Sequence, residues 1–268
     1  LLGLQVRASA RQAAGELPGA LADAREGLRR AGDVADRRTM ALLERAASIE
    51  EKLGHFDEAA RHYEGCIAMA RRLGHELLIG SPLYNMGRAI RQRGEKRRGL
   101  QLQEEGARLM EAAGDLVGLA TALNGLGAGW LLLGRVDAAR RCLARALELA
   151  ERLDDQALAG MVLNNTARAL AAEGRLDEAE DCFAKSSSLR AGRGDRRGQA
   201  AVALTRGRVR WQRGRIAEAA ADLASGRQLL SGLSAPEWEV EAELLQSALA
   251  LARADLEAAA GAARAALT

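Results

Sequence analysis

The sequence is poor in the residue types from which β-strands, disulfide frameworks and membrane spans are built. Of its 268 residues only 3% are aromatic, three are proline and three are cysteine. Ala, Leu, Arg and Glu dominate while Val, Ile and Thr are sparse, and this composition predicts an almost wholly helical chain. An odd number of cysteines without a Cys-x-x-Cys pair argues against a disulfide framework and favours a reducing cytoplasm.

No apolar run approaches the roughly 18 to 20 residues that a membrane span needs, so we expect no membrane contact. The first residues, LLGLQVRASARQ, lack a charged leader, a long apolar stretch and a starting Met, and we therefore expect the chain to be part of a longer protein. The net charge of +3 is only weak support for a nucleic-acid partner.

Motifs that would mark an enzyme or a cofactor site are also missing. No GxxxxGK[ST] or GxGxxG loop, HExxH or GxSxG occurs, so the sequence predicts neither a catalytic constellation nor a bound cofactor. His62 and Cys66 stand at i and i+4, a spacing that zinc can use, but a zinc site needs more ligands than this pair. Packing and surface roles are the favoured interpretation of these two residues.

What the chain does contain is a repeat of 40 residues. Five glycines are spaced 40 residues apart: Gly54, Gly94, Gly134, Gly174 and Gly214. Ala254 stands at the next position of this series. A second set of turn residues lies midway between them: Gly74, Gly114, Asp154 and Gly194. Because turn residues recur about every 20 positions, each unit is predicted to be two antiparallel helices, and such a period is typical of a solenoid.

The segment LNGLGAGWLLLGRVDAARRCLARAL carries a family resemblance. Eight of its residues match the tetratricopeptide repeat pattern: Leu123, Leu126, Gly127, Trp130, Gly134, Ala139, Leu143 and Ala146. Partial copies of the pattern begin at Leu83 and Leu163. The period resembles the longer variant of this repeat, with Gly-Asp or Asp-Asp turns where the family usually has proline. The resemblance implies an all-α, right-handed superhelical solenoid of about seven antiparallel helix pairs, that is, fourteen helices.

We therefore expect residues 1–268 to form a single array. Degenerate repeats are predicted at its two ends, 1–34 and 235–268, and core repeats between them at 35–74, 75–114, 115–154, 155–194 and 195–234.

The resemblance also implies a binding surface, because related arrays hold peptides in a concave groove lined by the first helix of each pair. The candidate ligand-binding residues at groove positions are Asn85, Arg88, Arg91, Asn124, Asn164, Asn165, Arg168, Arg208 and Trp211. Asparagine can hold a peptide backbone through its donor and its acceptor, and arginine suits carboxylates, so the expected partner is an acidic protein or peptide segment. A small-molecule effector is also compatible with such a groove. Alternatively, the asparagines stabilise helix contacts and the arginines are only solvated.

An Arg-rich stretch from Arg190 to Arg215 breaks the apolar pattern, with Arg206 and Arg210 at positions that normally pack. One interpretation is ion pairing between helices, since the next first helix carries several glutamates. The other is a basic patch for nucleic acid, against which the scarcity of stacking aromatics argues.

The longer repeat resembles the sensor arrays of bacterial LuxR-type and related signal-transduction ATPase transcriptional regulators. This resemblance implies a non-enzymatic protein- or peptide-binding module that serves as the ligand-sensing domain of a larger regulator. A free-standing scaffold or adaptor, and a nucleic-acid-binding array that uses residues 190–215, are the alternatives.

Overall fold

The computed structural model describes residues 1–266, with side chains described through residue 254. Over this range the chain forms thirteen α-helices and one 3₁₀ turn, Glu76–Leu78, with no strand, which confirms the all-α prediction. The helices are α1 Leu2–Ala13, α2 Leu17–Ala31, α3 Arg37–Lys52, α4 Phe56–Arg72, α5 Gly80–Gln92, α6 Lys96–Ala112, α7 Leu116–Leu132, α8 Val136–Arg152, α9 Gln156–Ala172, α10 Leu176–Gly192, α11 Arg196–Gln212, α12 Ile216–Leu230 and α13 Pro236–Ala266. None of these helices combines the length and the apolar character that a membrane span requires.

Consecutive helices pack as antiparallel pairs joined by short turns: α1 with α2, α3 with α4, α5 with α6, α9 with α10 and α11 with α12. The predicted count of seven pairs is wrong at the end of the described chain, where α13 is one helix of 31 residues. Ala254 stands where the turn glycine would be, and alanine is the residue that most favours a helix. The chain therefore continues through that position instead of turning.

The chain divides into two compact units, and the single array stays a prediction. Unit 1 is Leu1–Leu126 and unit 2 is Gly127–Thr268. The largest fully buried side chains of unit 1 include Tyr63, Leu42, Ile49 and Leu100, and those of unit 2 include Phe183, Leu143 and Leu204.

The turns after the first helices use glycine in the left-handed region, as the repeat predicts. Gly134 has a φ of 69°, and the other glycines of the 40-residue series also have positive φ. Within residues 1–266, Asp154 is the one non-glycine residue there, at a φ of 51°. Aspartate tolerates this conformation better than most side chains do, which explains how one turn manages without glycine.

Replacing Gly134 with valine is expected to lower the free energy of unfolding by about 1 to 3 kcal/mol. A Cβ at this position would meet no atom within 4 Å, so the cost arises from the backbone conformation alone. Gly134→Asn is the matched control and should cost less, because asparagine tolerates positive φ. Urea denaturation measures both variants, and equal losses would show that backbone conformation is not the cause.

Three aspartates that stand 40 residues apart cap the helices α7, α9 and α11. Oδ1 of Asp115 accepts a hydrogen bond from the backbone N of Gly118 at 2.9 Å, and Asp155 and Asp195 repeat this contact at α9 and α11. Each satisfies one of the amide groups that a helix start leaves without a partner. The caps set where α7, α9 and α11 begin, and hence which residues share a face further along each helix.

Candidate functional site

A cleft of about 320 Å³ lies in unit 2 among the C-terminal halves of α7, α9 and α11. These are the first helices of three successive pairs, the elements on which the resemblance places a groove. The lining residues are Leu131, Leu132, Arg168, Ala171, Ala172, Arg208, Val209, Gln212 and Arg213. Two of the predicted ligand-binding residues, Arg168 and Arg208, are thus brought together.

Arg168 is one of two cleft arginines that form no ion pair with a described carboxylate, the other being Arg213. Its Nη1 donates to Oδ1 of Asn165 at 3.0 Å, and among the side chains described, residues 1–254, no carboxylate forms an ion pair with it. Burial lowers the pKa of Arg168, and the positive charge of Arg208 lowers it further, while Glu241 partly offsets both effects. A half-buried guanidinium in this position would be stabilised by an anion.

The other two arginines of the cleft are engaged. Nη1 of Arg208 lies 2.5 Å from Oε1 of Glu241 on α13. Nη2 of Arg213 donates to the backbone carbonyl of Ala171 near the end of α9. The cleft therefore holds three guanidinium groups, of which one is paired with a carboxylate and one with a carbonyl oxygen.

The repeat explains why none of the described carboxylates pairs with Arg168. In unit 1, Arg88 occupies the equivalent position and pairs with Glu51, which lies 37 residues earlier. Counting back 37 residues from Arg168 gives Leu131, and from Arg208 gives Ala171, and both of these apolar residues line the cleft. At the position where unit 1 has the carboxylate of Glu51, unit 2 has the apolar residues Leu131 and Ala171.

Arg88 is the clearest case in which a predicted groove arginine has a structural partner. Its Nε and Nη2 donate to the two oxygens of Glu51 at 2.9 and 2.6 Å. Glu51 also accepts from the hydroxyl of Tyr63 at 2.9 Å. The hydrogen bonds to Glu51 raise the pKa of Arg88, and burial raises the pKa of Tyr63. This network ties α3, α4 and α5 together.

Arg91, one turn further along α5, resembles Arg168 more closely. Its Nε donates to Oε1 of Gln103 at 3.2 Å, and burial lowers its pKa. Gln103 is fully buried, and its Nε2 has no hydrogen-bond partner among the described residues. Asn85 lies half-buried on the same helix.

The remaining predicted residues occupy different surroundings. Asn165 accepts from Arg168, whereas Oδ1 of its neighbour Asn164 is buried without a partner within the described part of the chain. Asn124 is half-buried on α7 in unit 1. Trp211 does not line the cleft and packs, partly buried, against the apolar cluster that includes Ala219 and Leu245.

The Arg-rich stretch is held by ion pairs between helices, which confirms the first interpretation. The buried Asp222 accepts from Arg206 at 2.6 Å and from Arg210 at 3.0 Å, and Arg210 also pairs with Glu180 at 2.8 Å. With the side chains described through residue 254, six arginines of the stretch have a carboxylate partner: Arg190, Arg197, Arg206, Arg208, Arg210 and Arg215. The basic patch required by the nucleic-acid alternative is therefore largely neutralised.

His62 and Cys66 have partners in the protein. Nδ1 of His62 lies 2.6 Å from Oε2 of the buried Glu50, and the Cys66 thiol is buried beside the carbonyl of Met40 at 3.7 Å. Burial raises the pKa of that thiol. Among the described residues, no group of three or more His, Cys, Asp and Glu side chains could hold a metal ion.

Sequence reasoning missed Leu131, Leu132 and Arg213 as cleft residues. The leucines are indistinguishable from core residues by type, and Leu132 is 65% exposed. The available signal is the 37-residue offset, since Leu131 precedes Arg168 by the same number of residues as Glu51 precedes Arg88. Arg213 directly precedes the turn glycine Gly214, and this position was not among those predicted to line the groove.

The comparisons with known proteins support the fold described above. Residues 118–191, which contain α7 to α10 apart from the ends, match the model of the tetratricopeptide repeat family. The resemblance recognised in the sequence is thus confirmed for this segment. None of the curated proteins matches the chain.

Three solved structures illustrate the likeness in fold. BtubC (BKLC) from P. vanneervenii is 22% identical, with a TM-score of 0.62 over 71% of this chain and 80% of that one. The apo form of RapI is 11% identical, with a TM-score of 0.68 over 96% of this chain and 98% of that one. A Rap protein complexed with Competence and Sporulation Factor is 12% identical, with a TM-score of 0.68 over 95% and 74%.

Proposed function

We propose that this chain is a non-enzymatic interaction module that holds an acidic segment of a protein or peptide in the α7–α9–α11 cleft. The observation that carries the proposal is Arg168, a half-buried guanidinium without a carboxylate partner among the described side chains. A ligand carboxylate would supply the charge that Glu51 supplies to Arg88. Charge-assisted pairs of this kind are stronger than neutral hydrogen bonds.

The walls of the cleft add to this chemistry. Leu131 and the largely exposed Leu132 offer apolar surface beside Arg168, so the ligand segment should carry an apolar side chain next to its acidic one. The buried, unpartnered Oδ1 of Asn164 is an acceptor for a backbone N–H if its side chain turns toward the ligand. Asn165 remains a proposed backbone contact of this cleft, and Asn85 and Asn124 remain proposed ligand-binding residues of unit 1.

The similar structures support an interaction role through their fold alone. One of them is a Rap protein complexed with Competence and Sporulation Factor, so the fold is compatible with a bound partner. In accordance with the resemblance in the sequence, we place this module in a larger bacterial transcriptional regulator as its ligand-sensing domain, where the signal is a protein, a peptide or a small-molecule effector. A reading frame with a P-loop upstream and a helix-turn-helix nearby would support the regulator, and an isolated array would support the adaptor.

Arg168→Gln is expected to weaken the binding of a labelled peptide with two adjacent glutamates by roughly tenfold or more, because it removes a charge-assisted hydrogen bond. Arg141→Gln is the matched control, since Arg141 is exposed on α8, outside the cleft, and its loss changes the net charge equally. Fluorescence anisotropy at 0.15 M salt measures both affinities. Equal weakening by the two variants would mean that the peptide follows net charge, and the proposed site would be wrong.

A further inference from the structure

One of the arginines that line the cleft is paired with a carboxylate of the protein. Glu241 on α13 lies 2.5 Å from Nη1 of Arg208, and its side chain is 22% exposed. Among the side chains described through residue 254, this is one of two ion pairs between α11 and α13, the other being Arg197 with Glu237 at 2.9 Å. Arg208 lines the cleft, whereas Arg197 does not.

Glu241 acts on two of the three arginines that line the cleft, Arg208 and Arg168. It pairs directly with Arg208, and its charge also favours the ionised form of Arg168, against the effects of burial and of Arg208. It therefore already provides, from within the protein, the chemistry that an acidic ligand would bring.

The Arg208–Glu241 pair can be exchanged at low cost. The Arg208 side chain is 38% exposed, and ion pairs with this access to water contribute little to stability. An incoming carboxylate would replace Glu241 at Arg208, and Glu241 would turn into solvent. Within the described part of the chain, no carboxylate is paired with Arg168, so the first carboxylate of a ligand binds there without displacing one.

We propose that Glu241 determines how many ligand carboxylates the cleft binds readily. Because Glu241 is paired with Arg208, the first carboxylate of a ligand binds at Arg168. A second carboxylate must displace Glu241 to bind at Arg208. This inference rests on the proposed function, since it concerns the same cleft. A cleft with Glu241 should therefore favour segments with one acidic residue over segments with two adjacent ones more strongly than a cleft without Glu241 does.

The test compares Glu241→Gln with Glu237→Gln. Both variants neutralise one α11–α13 ion pair and change the net charge by the same amount, but only the first frees a cleft arginine. The probes are two labelled peptides of equal length, with one glutamate and with two adjacent glutamates. Fluorescence anisotropy gives the affinities, and thermal melts verify that both variants are folded.

Glu241→Gln is expected to tighten the two-glutamate peptide by roughly two- to fivefold, the effect of removing one partly screened competing charge, and the one-glutamate peptide by less. Glu237→Gln should leave the ratio of the two affinities unchanged. The gain should shrink at 0.5 M salt, because screening weakens the additional ion pair.

The outcomes separate this inference from the function on which it rests. If Arg168→Gln weakens binding but Glu241→Gln leaves the ratio of affinities as in the wild type, Glu241 is structural and the inference is overturned while the proposed site stands. Equal gains from Glu241→Gln and Glu237→Gln would also overturn it, since net charge would then explain both. If neither the wild type nor Glu241→Gln binds either peptide, the proposed function and the inference are both wrong.

Discussion

Replacing Gly106 with alanine is expected to lower the free energy of unfolding of unit 1 by about 2 to 4 kcal/mol. Gly106 lies on α6 where this helix crosses α5 at backbone contact. A Cβ there would stand 2.6 Å from the backbone N of Tyr84 and 2.7 Å from the carbonyl oxygen of Gly80. Backbone atoms cannot swing aside as a flexible side chain can, so the two helices must separate and lose their packing.

The same kind of contact occurs at a second place along α5 and α6. There, a Cβ atom on Gly87 or on Gly99 would also meet backbone atoms of the facing helix. Gly65→Ala is the matched control for Gly106→Ala. Gly65 is also a helix residue of unit 1, but its Cβ would meet only the Leu43 side chain, at an ordinary 3.5 Å. This variant should be neutral or slightly stabilising, since alanine favours a helix more than glycine does. Urea denaturation that gives both variants the same stability would refute the close crossing of α5 and α6.

Replacing Asp222 with alanine should destabilise unit 2 by about 3 to 5 kcal/mol, because it leaves mostly buried guanidinium groups without their carboxylate. The Asp222 side chain is 3% exposed and pairs with Arg206 at 2.6 Å and Arg210 at 3.0 Å, both largely buried themselves. Arg210 retains Glu180, but Arg206 would lose its carboxylate partner. Chemical denaturation of the variant measures the loss.

Glu218→Ala provides the matched control for Asp222→Ala. Glu218 lies one turn earlier on α12 and also contacts Arg210, at 3.9 Å, and Arg215, at 2.5 Å, but it is exposed. Because water screens such pairs, this variant should unfold close to the wild type. A loss at Asp222 no greater than the loss at Glu218 would show that burial of the arginine cluster is not what makes Asp222 important.

The repeat in the sequence predicted the helix pairs well because each boundary has a local cause. Glycine at 40-residue intervals permits the left-handed turn conformation, and Gly134 adopts it at a φ of 69°. Asp115, Asp155 and Asp195 cap helices at the same interval. The prediction was wrong where such a cause was absent, since nothing at Ala254 turns the chain and α13 continues through it.

Other features were present in the sequence but could be interpreted only in three dimensions. The glycines of α5 and α6 each stand seven residues apart, at 80 and 87 and at 99 and 106, so that each pair lies on one helix face. Glycine at such positions is equally compatible with a weak helix. The tertiary structure shows that the two faces meet, which makes the missing Cβ atoms a requirement of the packing.

The sequence by itself determined the all-α architecture, the pairing of the helices and the positions of arginine on the first helices. These follow from periodicity and from turn and cap residues, which act over a few residues of chain. Whether a given arginine is available to a ligand depends on the residue that faces it from another helix pair. Arg88 and Arg168 occupy equivalent positions, yet Arg88 meets Glu51 while Leu131 stands at the place equivalent to Glu51 before Arg168. The residue type at this offset is written in the sequence, but only the tertiary structure shows that the offset matters, because the charge of a guanidinium is compensated through space and not along the chain.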